Sequence, residues 1–212
     1  MGLFEKDIQP MKLIFASNNQ HKIEELKAFC KNESDSYRIE IVSLKEAGID
    51  IDIPEPCDSL EENASEKSWR IYKLTGKDCF SEDTGLEIEA LNGEPGVKSA
   101  RYAGEARSFK DNIQKVLNKL ASEKNKNARF RAIISLILDG KETQFEGICN
   151  GKIIDTPQGT EGFGYDPIFI PDGSTRTFAE MSLDEKNRFN HRTKAAAKLV
   201  AFLQNMKANS TI

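Results

Sequence analysis

Four stretches of this chain carry residues whose types and spacing could do chemistry. Ser17-x-Asn19-x-x-Lys22-x-x-Glu25 falls where a short apolar run gives way to a helical pattern. A hydroxyl, an amide and a lysine at a helix N-terminus suit a chain of phosphates, and the helix dipole adds to the attraction. The same residues also read as an ordinary N-cap followed by a surface lysine. Glu82-Asp83-Thr84-Gly85 stands at a strand end. Adjacent carboxylates project to opposite sides of a strand. One of them can therefore face a hard cation, which takes one or two carboxylates plus water and substrate phosphate. Glu55, between Pro54 and Pro56, can supply a second carboxylate. A solvated acidic turn is the plainer alternative. Gly159-x-x-Gly162-Phe163-Gly164-Tyr165-Asp166-Pro167 lacks the dinucleotide-binding spacing, but its glycines let backbone and ring close over a flat ligand. A hairpin around a buried phenylalanine would look the same. Lys186-Asn187-x-x-Asn190-His191-Arg192 gathers hydrogen-bond donors before the last helix, where they suit a carbonyl-bearing ring or a phosphate. As a plain helix start, this basic cluster runs against the dipole preference.

These groups need elements to hold them. Met11–Ala16 is apolar and reads as a buried strand, followed by a helix over His21–Cys30 with Ile23, Leu26 and Phe29 at helical spacing. Arg38–Leu44 alternates as a second strand. Ser59-Leu60-Glu61-Glu62 fits a capping box, and its helix is expected to reach about Leu74. Cys79–Asp83 reads as a short strand broken by Gly85, after which Leu86, Ile88 and Ala90 alternate. Asn92–Gly96 is a turn, and Ile113, Val116, Leu117 and Leu120 mark a helix. Ala128–Leu138 and Glu142–Ile154 read as long strands joined by Asp139-Gly140. A last helix is expected over Asn190–Met206, with Ala196, Leu199, Phe202, Leu203 and Met206 as its inner face. Strict βαβ alternation is missing. The expected fold is therefore α/β, with a mixed, partly antiparallel twisted sheet flanked by helices and two lobes around a central cleft.

Composition sets the outer bounds. The 212 residues, 38% hydrophobic and 30% charged, describe one ordinary globular domain over residues 11–212, preceded by a short extension, Met1–Pro10. A net charge of -4 argues against a nucleic-acid partner. No apolar run approaches membrane-span length, and the N-terminus lacks an apolar signal core. The four cysteines form no CxxC pair and histidines number two, so a structural zinc is not expected. Reduced, mostly buried thiols in the cytoplasm are the expectation.

Five stretches together resemble the inosine triphosphate pyrophosphatase family, also called the dITP/XTP pyrophosphatases. They are FASNNQHKIEEL, SLEENASEKS, SEDTGLEIEALNGEPGVKSARYAGE, GTEGFGYDPIF and TFAEMSLDEKNRFNHR, in the family's order from about Leu13 to Leu203. The resemblance implies release of pyrophosphate from purine nucleoside triphosphates with a 6-keto base (ITP, dITP, XTP). It further implies Mg²⁺ as cofactor, a small-molecule nucleotide as partner and a homodimer. By the same resemblance Ser17, Asn19, Lys22 and Lys67 face the phosphates, while Glu55 and Asp83 hold the metal. Asp83 also orients or deprotonates the attacking water, and Lys22 contributes catalytic charge. Phe163 stacks on the purine, with Gly164, Tyr165 and Asp166 in the same pocket. Lys186, His191 and Arg192 read the base edge; Thr84, Ser99 and Arg101 line the cleft.

The chain departs from the family pattern at three places. Asn190 stands where serine usually precedes the His-Arg pair, and it can still cap the helix. Asn18 replaces a common glycine and tolerates a left-handed backbone. Glu82 replaces a frequent aspartate. Two other readings stay open: a non-catalytic nucleotide-binding module, and an enzyme of related fold acting on modified pyrimidine triphosphates.

Overall fold

The computed structural model describes residues 10–32 and 39–209. The expected extension, apart from Pro10, and the first residue of the Arg38–Leu44 strand lie outside these. Strand β1 (Met11–Phe15) has two parallel neighbours, β2 (Ile39–Ser43) and β3 (Cys79–Ile88), and is apolar because both its faces are covered. Helix α1 (Gln20–Asn32) follows β1, and α2 (Leu60–Thr75) precedes β3. Ser59 caps α2 by accepting from the Glu62 amide at 3.2 Å, and Gly76 ends it in the left-handed region at φ 63°.

β3 runs through Gly85 without a break, pairing with β5 (Asn127–Leu138) along its whole length. This corrects the expected strand end. A Cβ at Gly85 would sit 2.6 Å from the Gly96 carbonyl oxygen in β4 (Pro95–Gly96), so the glycine serves close approach of a neighbouring strand. Helix α3 (Phe109–Leu120) begins at the cap Ser108. β5 then turns at Asp139 and Gly140, both at positive φ, into β6 (Lys141–Ile153). β7 (Phe169–Pro171) closes the far edge, and the order is β2-β1-β3-β5-β6-β7 with β4 on β3. The sheet is mixed, as expected: parallel at β1, antiparallel from β3 onward.

Of the four apolar clusters among the described residues, two hold most of the buried side chains. One gathers Leu13, Phe15, Leu26, Ile134, Leu136 and Leu199. The other gathers Leu86, Val116, Leu120, Phe130, Phe169 and Phe178. β3 and β5 contribute to both cores, so the lobes share one sheet and the cleft opens where the strands pass between them. Cys79 and Cys149 are buried free thiols; Cys30 and Cys57 are only half-buried, short of the expected burial. Among the described residues no helix is long and apolar enough to cross a membrane.

The chain returns to the cleft through α4 (Leu183–Asn187) and α5 (His191–Asn209). Capping boxes at Thr177/Glu180 and Ser182/Glu185 stop and restart the backbone in this short span. α5 buries Ala195, Ala196, Leu199, Val200 and Leu203, but Met206 is 42% exposed. The expected inner face therefore ends one turn early, since the core it packs on ends at the level of Leu203. The first turn of α5 lies on bare β6 backbone. A Cβ at Gly147 would meet the His191 carbonyl oxygen at 2.0 Å and the Ala195 nitrogen at 2.5 Å. Gly147→Ala is expected to push α5 off the sheet and to lower stability by about 1–3 kcal/mol in a urea titration. An unchanged midpoint would show that α5 does not depend on this contact.

Candidate active site

One cavity of about 330 Å³ lies between the lobes, within the size range of small-molecule sites. It is lined by Ser17, Asn19, Lys22, Glu55, Lys67, Asp83, Thr84, Ser99, Phe163, Gly164, Tyr165, Asp166, Lys186, His191 and Arg192. Arg101 is the one sequence-derived candidate outside this lining. Its guanidinium donates to the Glu55 carbonyl oxygen at 2.9 Å and lies 3.7 Å from the Glu55 carboxylate, so it braces that loop.

At one end, β1 delivers Ser17 and Asn19 to the start of α1. The Ser17 hydroxyl accepts from the Asn19 amide at 3.1 Å, and the Asn19 side-chain oxygen accepts from the Lys22 amide at 3.2 Å. Asn19 is thus a helix cap as well as a cavity residue. Asn18 is not in the left-handed region; its side chain instead donates to the Ile51 carbonyl oxygen at 2.9 Å, joining this turn to the loop that carries Glu55. Lys67, buried on α2, donates to Glu55 at 2.8 Å, to Asp83 at 2.7 Å and to the Glu82 carbonyl oxygen at 3.0 Å. The β3 pleat sends the neighbouring Glu82 the other way, against Lys22 at 2.9 Å and Arg192 at 3.4 Å. Glu82 is buried with its carboxylate against these two cations.

These contacts set the proton affinities. Burial raises Asp83, and the charge of Glu55 adds to this; together they outweigh Lys67 and Lys22 and bring it to about 6. Burial also opposes the charge on Glu55, but the ammonium of Lys67, with Lys22, holds that carboxyl down at about 2. The two acids thus sit on one ammonium with separated affinities.

At the other end, β5, α4 and α5 assemble a second cluster. Lys186 bridges Glu25 at 2.7 Å and Asp166 at 2.6 Å. Arg192 pairs with Glu25 and Glu82. Asn190 caps α5, accepting from the Arg192 amide at 2.9 Å, and donates to Glu25 at 3.0 Å. The expected capping by Asn190 is therefore present. His191 stacks on Phe130 at 4.8 Å. Burial first, then the charges of Arg192 and Lys186, push its pKa well below 6.5, so the imidazole is neutral. Neither His191 nitrogen nor the Arg192 Nε has a protein partner, although all three are buried. Buried polar atoms are normally paired; these three belong to residues that line the cavity. Ser99 and Tyr165 wall the cavity differently: Ser99 donates to the Gly96 carbonyl oxygen at 2.6 Å, and Tyr165 to the Ser99 carbonyl oxygen at 2.8 Å.

The Ham1 family profile matches residues 13–202 of this sequence. The chain belongs to the Ham1 family. It is 47% identical over 193 residues to a dITP/XTP pyrophosphatase of Flavobacterium johnsoniae, covering 91% of this chain and 98% of that one. It is 46% identical over 195 residues to one of Flavobacterium psychrophilum, covering 92% and 100%. Among solved structures, the Ham1 protein of Staphylococcus aureus superposes with a TM-score of 0.81 at 39% identity, covering 92% of this chain and 99% of that one. The HAM1 protein of Coxiella burnetii gives 0.81 at 34% identity with the same coverage.

Within this Ham1 cleft, several residues went unassigned from sequence. Glu25 was visible in the first motif but carried no role; it is the carboxylate shared by Lys186, Asn190 and Arg192. Asn112, buried on α3, receives the Ala103 amide at 2.6 Å and donates to the Ala100 carbonyl oxygen at 3.0 Å, fixing the loop after Ser99. Arg107 and Phe109 reach the cavity mouth, Arg107 with φ 52°. None of these bears a signal separable from surface polarity without the fold.

Glu25 generates a test. Burial raises its pKa, but the charges of Arg192 and Lys186 with the bonds from Lys186 and Asn190 prevail and lower it from 4.5 to about 2. The folded state therefore takes up this proton less readily than the unfolded chain, and the stabilisation is full above pH 4.5 and lost as pH falls through about 2. At 1.36 kcal/mol per unit this is roughly 3 kcal/mol. Glu25→Gln is expected to be less stable than wild type at pH 7, with the gap shrinking steadily below pH 4.5 in urea titrations. A gap that stays constant down to pH 3 would contradict the assignment.

Proposed function

We propose that this chain hydrolyses purine nucleoside triphosphates bearing a 6-keto base to the monophosphate and pyrophosphate, removing ITP, dITP and XTP from the nucleotide pool. The observation that carries this is a single cavity with lysines and paired carboxylates at one end and an aromatic ring beside unpartnered buried donors at the other. Relatives that match it along nearly their whole length are dITP/XTP pyrophosphatases. The residues at the phosphate end also suit Mg²⁺. Among the described residues no cluster of three or more His, Cys, Asp or Glu stands ready to hold a metal. Mg²⁺ needs no such cage, since it binds through one or two carboxylates together with substrate phosphates. Glu55 and Asp83, converging on one ammonium, are that pair. When bound, the cation would offset charge on the phosphoryl oxygens.

The chain's own residues account for the remaining steps. The start of α1 and Lys22 receive the triphosphate tail, and Lys67 adds a second positive charge behind it. Asp83, with its affinity raised to about 6, accepts a proton from water as that water attacks the α-phosphorus, and pyrophosphate leaves. Phe163 offers its face to the base. Lys186 and Arg192 donate only, so a 6-carbonyl satisfies them where the 6-amino group of adenine opposes donor to donor. Guanine shares the 6-carbonyl, and these donors do not exclude it. A homodimer in the cytoplasm belongs to the same reading.

Mg²⁺-dependent release of pyrophosphate from ITP, XTP and dITP, well above that from ATP, is the expected result of a product assay. Release of orthophosphate, or no release, would refute the reading. Asp83→Asn is expected to lower kcat by at least about 10²-fold while the protein still binds nucleotide. Unchanged turnover would remove Asp83 from its role.

A further inference from the structure

Phe163 is not bare. The His21 ring lies on it, parallel within 11° and with centroids 4.9 Å apart. Phe109, 45% exposed at the cavity mouth, stands 6.2 Å away and tilted by 47°. Lys186 and Arg192 lie over the same ring at 5.0 Å and 5.7 Å from its centroid. A base that stacks on Phe163 must displace one of these neighbours. Lys186 and Arg192 cannot yield cheaply, because each is pinned between buried carboxylates. His21 can. It is exposed on the first turn of α1, and among the described residues its stack on Phe163 is the one interaction its ring makes.

We propose that His21 is the second wall of the base site, so that the purine slides between the His21 and Phe163 rings. His21 reaches Phe163 from α1, and a flat ring laid on the covered face of Phe163 comes between the two. The imidazole is already parallel to Phe163, and it needs only to back away by the thickness of one ring to stack on the outer face of the base. One protein–protein stack is exchanged for two protein–base stacks. His21 then acts as a positioning residue: it favours the larger flat surface of a purine, touches none of the reacting phosphates, and adds a preference that the donor cluster does not supply. This inference rests on the nucleotide reading given above.

The test compares wild type, His21→Ala and His21→Phe. Base stacking lost on alanine substitution corresponds to about 5- to 150-fold in affinity. His21→Ala is expected to raise KM for ITP, and to weaken binding of IMP measured by calorimetry, by a factor in that range, with kcat within about twofold. His21→Phe is expected to keep wild-type values, since it retains the flat ring. Inorganic tripolyphosphate, which has no base, is expected to inhibit all three proteins equally. A lower KM in His21→Ala would mean that the ring obstructs the site, and an unchanged KM and IMP affinity would make it a bystander; either result overturns the proposal. Loss of tripolyphosphate inhibition in His21→Ala would trace the effect to a disturbed α1 and would overturn it too. If wild type releases no pyrophosphate from ITP, the functional reading fails on its own, while the IMP arm still decides the role of His21.

Discussion

Lys186 and Arg192 can be buried side by side because Glu25 lies between them. Two cations facing each other in a poorly hydrated cleft would repel and would lose their water without return. Glu25 meets both, while Asp166 takes the far side of Lys186 and Glu82 the far side of Arg192. The result is a chain of alternating charge, from Asp166 through Lys186, Glu25, Arg192 and Glu82 to Lys22. It runs along the floor of the cleft from the base end to the phosphate end. Each link constrains the next, so the positions of Lys186 and Arg192 are tied to that of α1.

The two ends of the cleft use charge differently. At the end that holds Lys186 and Arg192, every cation is already paired with a carboxylate, and what lacks a protein partner is a neutral imidazole and one N–H of the paired Arg192 guanidinium. A neutral purine can enter there without bringing compensating charge. At the phosphate end, Lys67 holds two carboxylates whose affinities differ widely, one near 2 and one near 6. A polyanion arriving there competes with those acids for the lysine, and Asp83, the more basic of the two, is the one ready to take up a proton. β3 separates these regimes by its pleat, with Glu82 on one side and Asp83 on the other.

Much of this was legible in the sequence, for reasons specific to each element. The long strands β5 and β6 showed in the apolar patterning of Ala128–Leu138 and Glu142–Ile154 and in the Asp139-Gly140 turn. α2 showed through its Ser59 cap, and fifteen of the residues that line the cavity stood among the candidates drawn from motifs whose joint order outweighed the ordinary reading of each. What stayed hidden depended on distant contacts. Gly85 looked like a strand end because the approach of Gly96 is invisible from spacing. Met206 matched the helical period, yet the core stops before it. The α4 segment was too short to show a period, and its Ser182/Glu185 capping box is seen only in the structure. Glu25 and His21 sit on an amphipathic helix like any surface pair, and only their partners, Lys186, Arg192 and Phe163, give them meaning.

The span of the Glu25 contacts has a consequence for biosynthesis. Lys186 lies 161 residues and Arg192 lies 167 residues downstream of the carboxylate they share. As the chain emerges from the ribosome, Lys22, Glu25, Lys67 and Asp83 are made long before Lys186 and Arg192. Until α4 and α5 arrive, Glu25 lacks the three side chains that bind it in the fold. The network of buried charges in the cleft therefore closes only when the last part of the chain has docked.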